Sequence, residues 1–355
     1  MIEMNASRIL YRDKASYCGP ISMLEVGLND TLLVVFRQAD WEGPDITTHT
    51  HPSTRTALIR SSDGGASWEE PIIVDMEGGN GTAIARLGNT LLVNNFRWKV
   101  VPTERREELE GLDFILEHPE AATVSGLVGV FTTRSHDNGL HWEPPRQLII
   151  PEVKTMSTAG RAVELSDGSW LLPMSGHETG DTRKVYPWFA RSEDGGASWS
   201  YRGRCQNPVG VECLSENRIV ELPDGRVLSL NRTDKGSFWQ SYSEDGGMSW
   251  SPMVDTSIPC FGSSPADLLQ LPDGRILCTY GNRKREPLGV RACLSSDGGA
   301  SWNLREEILL RDDAVHRDMG YPSTKLLGDG RLFTVYYWQD ENQVRHLVGS
   351  HWGLE

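Results

Sequence analysis

Apolar residues in this chain fall into short runs joined by tight turns, and only one segment shows a helical repeat. The clearest examples are "SENRIVELPDGRVLSLNR", "SPADLLQLPDGRILCTYGNR" and "GYPSTKLLGDGRLFTVYYW", in each of which two apolar runs flank an Asp-Gly turn. That arrangement predicts antiparallel hairpins. Weaker copies, "CGPISMLEVGLNDTLLVVFR", "NGTAIARLGNTLLVNNFR" and "GRAVELSDGSWLLPM", bring the hairpins to six. Further runs ("TALIRS", "GVFTTRS", "WFARS", "WQSYS", "VRACLS") supply a third strand after a hairpin, and "EEPIIV" and "RQLII" a fourth.

Between third and fourth strands stands a box, Ser-x-Asp-x-Gly-x-x-Trp, at 61–68, 135–142, 192–199, 243–250 and 295–302. Its aspartates, at 63, 137, 194, 245 and 297, recur at intervals of 74, 57, 51 and 52 residues, the spacing of propeller blades. The prediction is an all-β, six-bladed propeller of four-stranded antiparallel blades, read as a single domain over residues 1–355. The sixth hairpin lacks a box. Its "QVRHLVGSHWGLE" and the N-terminal "SRILYR" are expected to close the ring. Within each box, Ser and Asp should hydrogen-bond the turn backbone, Gly should take positive φ, and Trp should pack between blades. The exceptional segment is 98–126: Leu109, Leu112 and Leu116 recur at helical spacing, with Thr103 as N-cap and Pro119 as terminator, predicting an amphipathic helical insertion.

Composition changes this picture little. No apolar run approaches the roughly 18 residues of a membrane helix, and "MIEMNASRILYRDK" does not read as a secretory signal. The six cysteines show neither paired nor metal-like spacing. A cytoplasmic protein with reduced thiols is expected. The formal charge of −14 argues against nucleic acid or an anionic membrane as partner, so an anionic ligand would need clustered arginines.

In such a blade the Asp-Gly turns and the boxes share one face. The opposite face, built from first-strand starts and the loops between second and third strands, is where chemistry is expected. Second strands end there at Arg37, Arg97, Arg232 and Arg283, with Arg285 two residues on, and Arg161 opens a first strand. Guanidinium forks match carboxylates, so this rim is read as an anion site. The loop "RQADWEGPDITTHTHPSTR" adds Asp40, Trp41, Asp45, His49 and His51: general acid candidates in Asp40, Asp45 and His51, a substrate contact in His49 and a stacking platform in Trp41. Its His-x-His pair is not read as a metal site, and no cofactor is expected.

Five boxes at blade spacing resemble the Asp boxes, or BNR repeats, of the sialidase (neuraminidase) superfamily, and the resemblance covers nearly the whole chain. It implies an exo-glycosidase, and hence a carbohydrate partner, with a Glu and a nucleophilic Tyr each eight residues before the Asp of an Asp-Gly turn. Glu216 precedes Asp224 by eight and Tyr321 precedes Asp329 by eight. A carboxylate that takes the phenolic proton makes Tyr a nucleophile. The chain departs from the family's arginine triad. Cys18 stands in "YCGP" where the first arginine belongs, Phe238 and Trp239 occupy the strand of the second, and only Arg283 or Arg285 matches the third. Asn80 stands where the family's acid/base Asp belongs. The expected activity is hydrolysis of a terminal, acidic sugar. The alternatives are a glycosidase or lyase acting on a uronic acid, rhamnose or arabinose linkage, and a non-catalytic glycan-binding propeller. The oligomeric state is left open.

Overall fold

The computed structural model describes residues 7–43, 46–47, 49–178, 181–260 and 264–354. Among these, the strands form six antiparallel sheets arranged as a propeller. Blade one runs outward through Ser16–Val26, Leu32–Asp40, Arg55–Ser61 and Ile72–Asp75. Blades two to five repeat that order, opening on Asn80–Leu87, Val153–Ser157, Leu214–Glu221 and Ala266–Gln270. Blade six consists of Gly320–Leu326, Leu332–Gln339 and Arg345–Trp352, and its outermost strand is the N-terminal Arg8–Tyr11, with Arg8 opposite Gly349. Ring closure therefore joins the two ends of the chain, as their apolar runs predict. Among the described residues, no helix is long and apolar enough to cross a membrane.

The boxes hold their turns as their residue types require. In the fourth-blade copy, Asp245 Oδ1 accepts from the backbone N–H of Met248 and Ser249 at 2.9 and 2.8 Å, and Ser243 Oγ accepts from that of Gly247 at 2.8 Å. Gly246 and Gly247 sit at φ 66° and 93°, where a Cβ is disfavoured. The box tryptophans reach the preceding blade. Trp250 stacks on Phe189 with centroids 4.1 Å apart, and Trp68 stacks on Phe333 across the closure.

Inner strands share a device that sequence periodicity does not register. The first strands of blades one, two, four and six each break register near their start, and there a residue takes positive φ: Gly19, Gly81, Glu216 and Tyr321. These bulges turn the start of each inner strand toward one end of the central channel. Deeper in the channel a buried ionic set ties the blades together. Lys325 pairs with Glu25 at 2.8 Å, and Arg161 pairs with Asp267 at 2.9 Å while donating to Ser323 Oγ at 2.8 Å.

The predicted helix at 98–126 does not form. The second and third strands of blade two lengthen into Thr90–Pro102 and Thr123–Ser135, a 3-10 turn spans Thr103–Leu109, and Asp113–His118 pairs as a strand with the lengthened third strand. Gly111, at φ 86°, ends the turn between the leucines that carried the helical spacing. Leu109 is buried against Val101 and Val124, Leu112 packs at their edge, and Leu116 stays exposed. Thr103 makes no cap, because Pro102 precedes it in extended geometry and no side-chain bond forms.

Candidate active site

At the bulged ends of the inner strands lies a cavity of about 330 Å³, lined by His49, Asn80, Gly81, Phe96, Trp98, Glu216, Arg232, Arg283, Asp318, Tyr321 and Tyr337. Its volume is at the lower end of those that hold small molecules. Tyr321 Oη donates to Glu216 Oε1 at 2.8 Å, although 105 residues separate them. The other carboxylate oxygen of Glu216 is ion-paired with Arg232 Nη1. Burial, reinforced by the charge of Glu216, pushes the Tyr321 phenol well above its ordinary range, against the opposing pull of Arg232 and Arg283. The resting site thus holds a neutral phenol hydrogen-bonded to a carboxylate.

The two residues reach this arrangement through backbone that L-residues avoid. Glu216 stands at φ 48° and Tyr321 at φ 51°, in positions where blades one and two use glycine. Backbone N–H groups are anchored at both: that of Glu216 donates to Ser175 Oγ and that of Tyr321 to Ser264 Oγ, each at 3.1 Å. Strain of this kind persists where the surroundings over-determine it.

Across the cavity is a second constellation. Asp318 Oδ2 accepts from Arg345 Nε at 2.6 Å and lies 2.5 Å from its Nη2, and Asp318 Oδ1 accepts from Tyr337 Oη at 2.5 Å. Arg283 Nη2 is 3.9 Å from Asp318 Oδ1, donates to Tyr337 Oη, and lies over the Tyr321 ring. Its Nε donates to the Met319 carbonyl at 2.7 Å. Burial would raise the Asp318 carboxyl, but Arg345, Tyr337 and Arg283 outweigh it and hold it below the usual range. Tyr17 carries Arg345 at 4.3 Å from its ring centroid and Arg37 at 4.8 Å.

The rim arginines divide. Arg232 and Arg283 line the cavity. Arg37 is fully buried behind Tyr17, donating to the Gly19 carbonyl at 3.1 Å and Thr54 Oγ1 at 2.8 Å, and burial lowers its pKa to about 10. Arg97 is spent on Asp75 and Glu77, with its guanidinium over Phe131. Arg285 turns outward to Glu307, and Arg161 belongs to the channel network.

The loop candidates divide as well. His49 lines the cavity: it is open to solvent on that side and enclosed by protein elsewhere. Enclosure, with the charge of Arg37, lowers its pKa to about 4, so its imidazole is neutral at neutral pH. Asp40 is an exposed partner of Arg55 at 2.8 Å. His51 lies in a separate pocket with Glu42 and His118, its Nδ1 2.7 Å from Ser53 Oγ. Neither comes to the cavity, because the loop turns their side chains toward blade-edge partners. Trp41 stacks on Tyr17 at 6.0 Å, behind the cavity wall. Asp45 lies outside the described residues.

Cys18 is buried in the core between blades one and six, Phe238 in the core between blades four and five, and Trp239 is partly buried. Among the described residues, no group of three or more His, Cys, Asp or Glu could hold a metal ion.

Sequence reasoning missed Asp318, Tyr337, Arg345, Tyr17, Phe96 and Trp98. Asp318 lies only three residues before Tyr321, a proximity that could have flagged it; the others carry no spacing signal.

Residues 54–334 match the family described as BNR repeat-like domain. No curated protein matches the sequence. Among solved structures, a protein of unknown function from Dyadobacter fermentans superposes with a TM-score of 0.86 at 23% identity, over 100% of this chain and 99% of that one. The Hadza microbial sialidase Hz136 gives 0.69 at 16% identity, over 96% of this chain and 66% of its own. Trypanosoma rangeli sialidase, solved with the inhibitor DANA, gives 0.64 at 17%, over 93% and 54%. At these identities the likeness is one of fold.

Proposed function

Because the chain belongs to the BNR repeat-like domain family and shares its fold with sialidases, we propose that it is an exo-glycosidase that removes a terminal sugar from a glycan. The observation that carries this reading is the 2.8 Å hydrogen bond from Tyr321 to Glu216 at the cavity wall.

In the proposed reaction Tyr321 Oη attacks the anomeric carbon while Glu216 accepts the phenolic proton. The bond to the leaving oxygen breaks, and that oxygen gains a proton. Water at the open side of the cavity supplies that proton, because His49, the loop candidate that lines the cavity, is already neutral at neutral pH and has no acidic proton to give. Water then attacks the glycosyl-tyrosine, Glu216 returns its proton to the leaving phenol, and two displacements leave the anomeric configuration retained. Arg232, ion-paired with the other oxygen of Glu216, fixes that side chain in place for the transfer. Arg283, over the Tyr321 ring, stabilises negative charge as it develops on the phenol. Phe96 and Trp98 offer the apolar wall on which a sugar face can rest.

A panel of aryl glycosides tests the reading. The wild type should cleave at least one of them, and Tyr321→Phe should lower kcat/KM by on the order of 10³-fold for that substrate. Full activity in Tyr321→Phe would remove the nucleophile assignment. Glycan binding by the wild type without any product would favour the non-catalytic alternative.

A further inference from the structure

We propose that Asp318 occupies the cavity's own anion position, so that the site takes a sugar lacking a free carboxylate and Asp318 is the residue that sets this specificity. The proposal rests on the glycosidase reading of the same cavity and names the substrate class it admits.

The geometry is that of a bound carboxylate already in place. Arg345 presents Nε and Nη2 to one oxygen of Asp318 at 2.6 and 2.5 Å, and Tyr337 donates to the other at 2.5 Å. An arginine fork and a phenol are groups with which a protein captures a carboxylate ligand. Here the carboxylate belongs to the chain. The remaining cavity guanidiniums are also engaged. Arg232 pairs with Glu216, and Arg283 is held by the Met319 carbonyl and the Tyr337 hydroxyl while standing 3.9 Å from Asp318.

An anionic sugar entering this cavity would stand beside two carboxylates, Glu216 and Asp318, and the three guanidiniums around them, Arg232, Arg345 and Arg283, already donate to groups of the chain. Like charges brought together in a partly desolvated site oppose one another strongly. A neutral sugar meets no such opposition. Asp318, with about a third of its side chain accessible, retains acceptor capacity for sugar hydroxyls. The acidic substrate expected from the arginine-rich rim therefore gives way to a neutral one: of the rim arginines that converge, Arg232 is paired with Glu216 and Arg283 is held by the Met319 carbonyl and the Tyr337 hydroxyl, while Arg97 and Arg285 are paired elsewhere.

Calorimetry with DANA, a carboxylate-bearing cyclic sugar analogue, and with its methyl ester tests this. In both Asp318→Asn and Asp318→Ala, DANA should bind at least tenfold more tightly than to the wild type, while affinity for the ester stays within threefold. The asparagine keeps the size and hydrogen bonding of the site should the alanine fail to fold. Unchanged or weakened DANA binding in the folded variants overturns the proposal, whether or not the wild type binds DANA. If neither variant folds, the wild type alone decides: binding the free acid as tightly as the ester overturns the proposal, and a preference of tenfold or more for the ester supports it. These affinities do not depend on turnover. Absence of cleavage across a glycoside panel would count against the glycosidase reading alone.

Discussion

Glu216 and Tyr321 carry side chains at backbone positions where blades one and two place glycine, with φ of 48° and 51° against 61° at Gly81 and 121° at Gly19. Holding an L-residue there costs about 1–2 kcal/mol. Alanine ordinarily exceeds glycine in stability by roughly 0.5–1 kcal/mol within regular structure. At position 321 the order should invert, with Tyr321→Gly about 1 kcal/mol more stable than Tyr321→Ala in urea denaturation. The ordinary order, alanine above glycine, would mean that no such strain exists. Both residues were legible in the sequence because each stands at a fixed offset from an Asp-Gly turn, and repeated hairpins convert equal offsets into equal heights along the channel. Asp318 and Arg345 were not legible as a pair. Their contact depends on the turn into blade six and on the third strand of that blade, and no repeat distance encodes it. Arg97 and Arg285 show the converse: strand-end position was readable, but the acids that pair with them come from fourth-strand regions, Asp75 from the preceding blade and Glu307 from the same one.

At the level of the element, the box turns are self-contained devices. Ser243 Oγ is buried and accepts the Gly247 N–H at 2.8 Å while donating to Asp245 at 2.9 Å. Ser243→Ala leaves that N–H without its partner and should destabilise the protein by roughly 1–3 kcal/mol. Because the turn lies on the face opposite the cavity, glycoside cleavage per folded molecule should not change. A thermal melt and an assay on the same sample check both halves, and a loss of kcat with unchanged stability would contradict this placement. Box and blade were readable because four fixed residue types mark each turn. The segment 98–126 misled because leucines three and four apart satisfy a helical template even when Gly111 divides them. Pairing the lengthened third strand satisfies backbone groups that a helix lying over the rim would have left to water.

For the molecule as a whole, stability depends on one seam. Leu10 is buried in the core shared by blades one and six, and Tyr11 packs against Phe36 with centroids 5.4 Å apart. Deletion through Tyr11 removes these contacts and bares the outer edge of Arg345–Trp352. It should cost on the order of 3 kcal/mol in denaturant unfolding, and a truncated chain as stable as the full one would show that the seam contributes nothing. The pairing of Arg8 with Gly349 also sets an order of events during synthesis. Arg8–Tyr11 leaves the ribosome before every other strand described here, yet its partner is the last to emerge. A nascent chain can stack five blades in turn, but it must carry this first strand unpaired until Arg345–Trp352 has been made. The propeller is locked as a ring only then, and until that moment the waiting strand is the part of the chain most open to capture by a chaperone or by another copy.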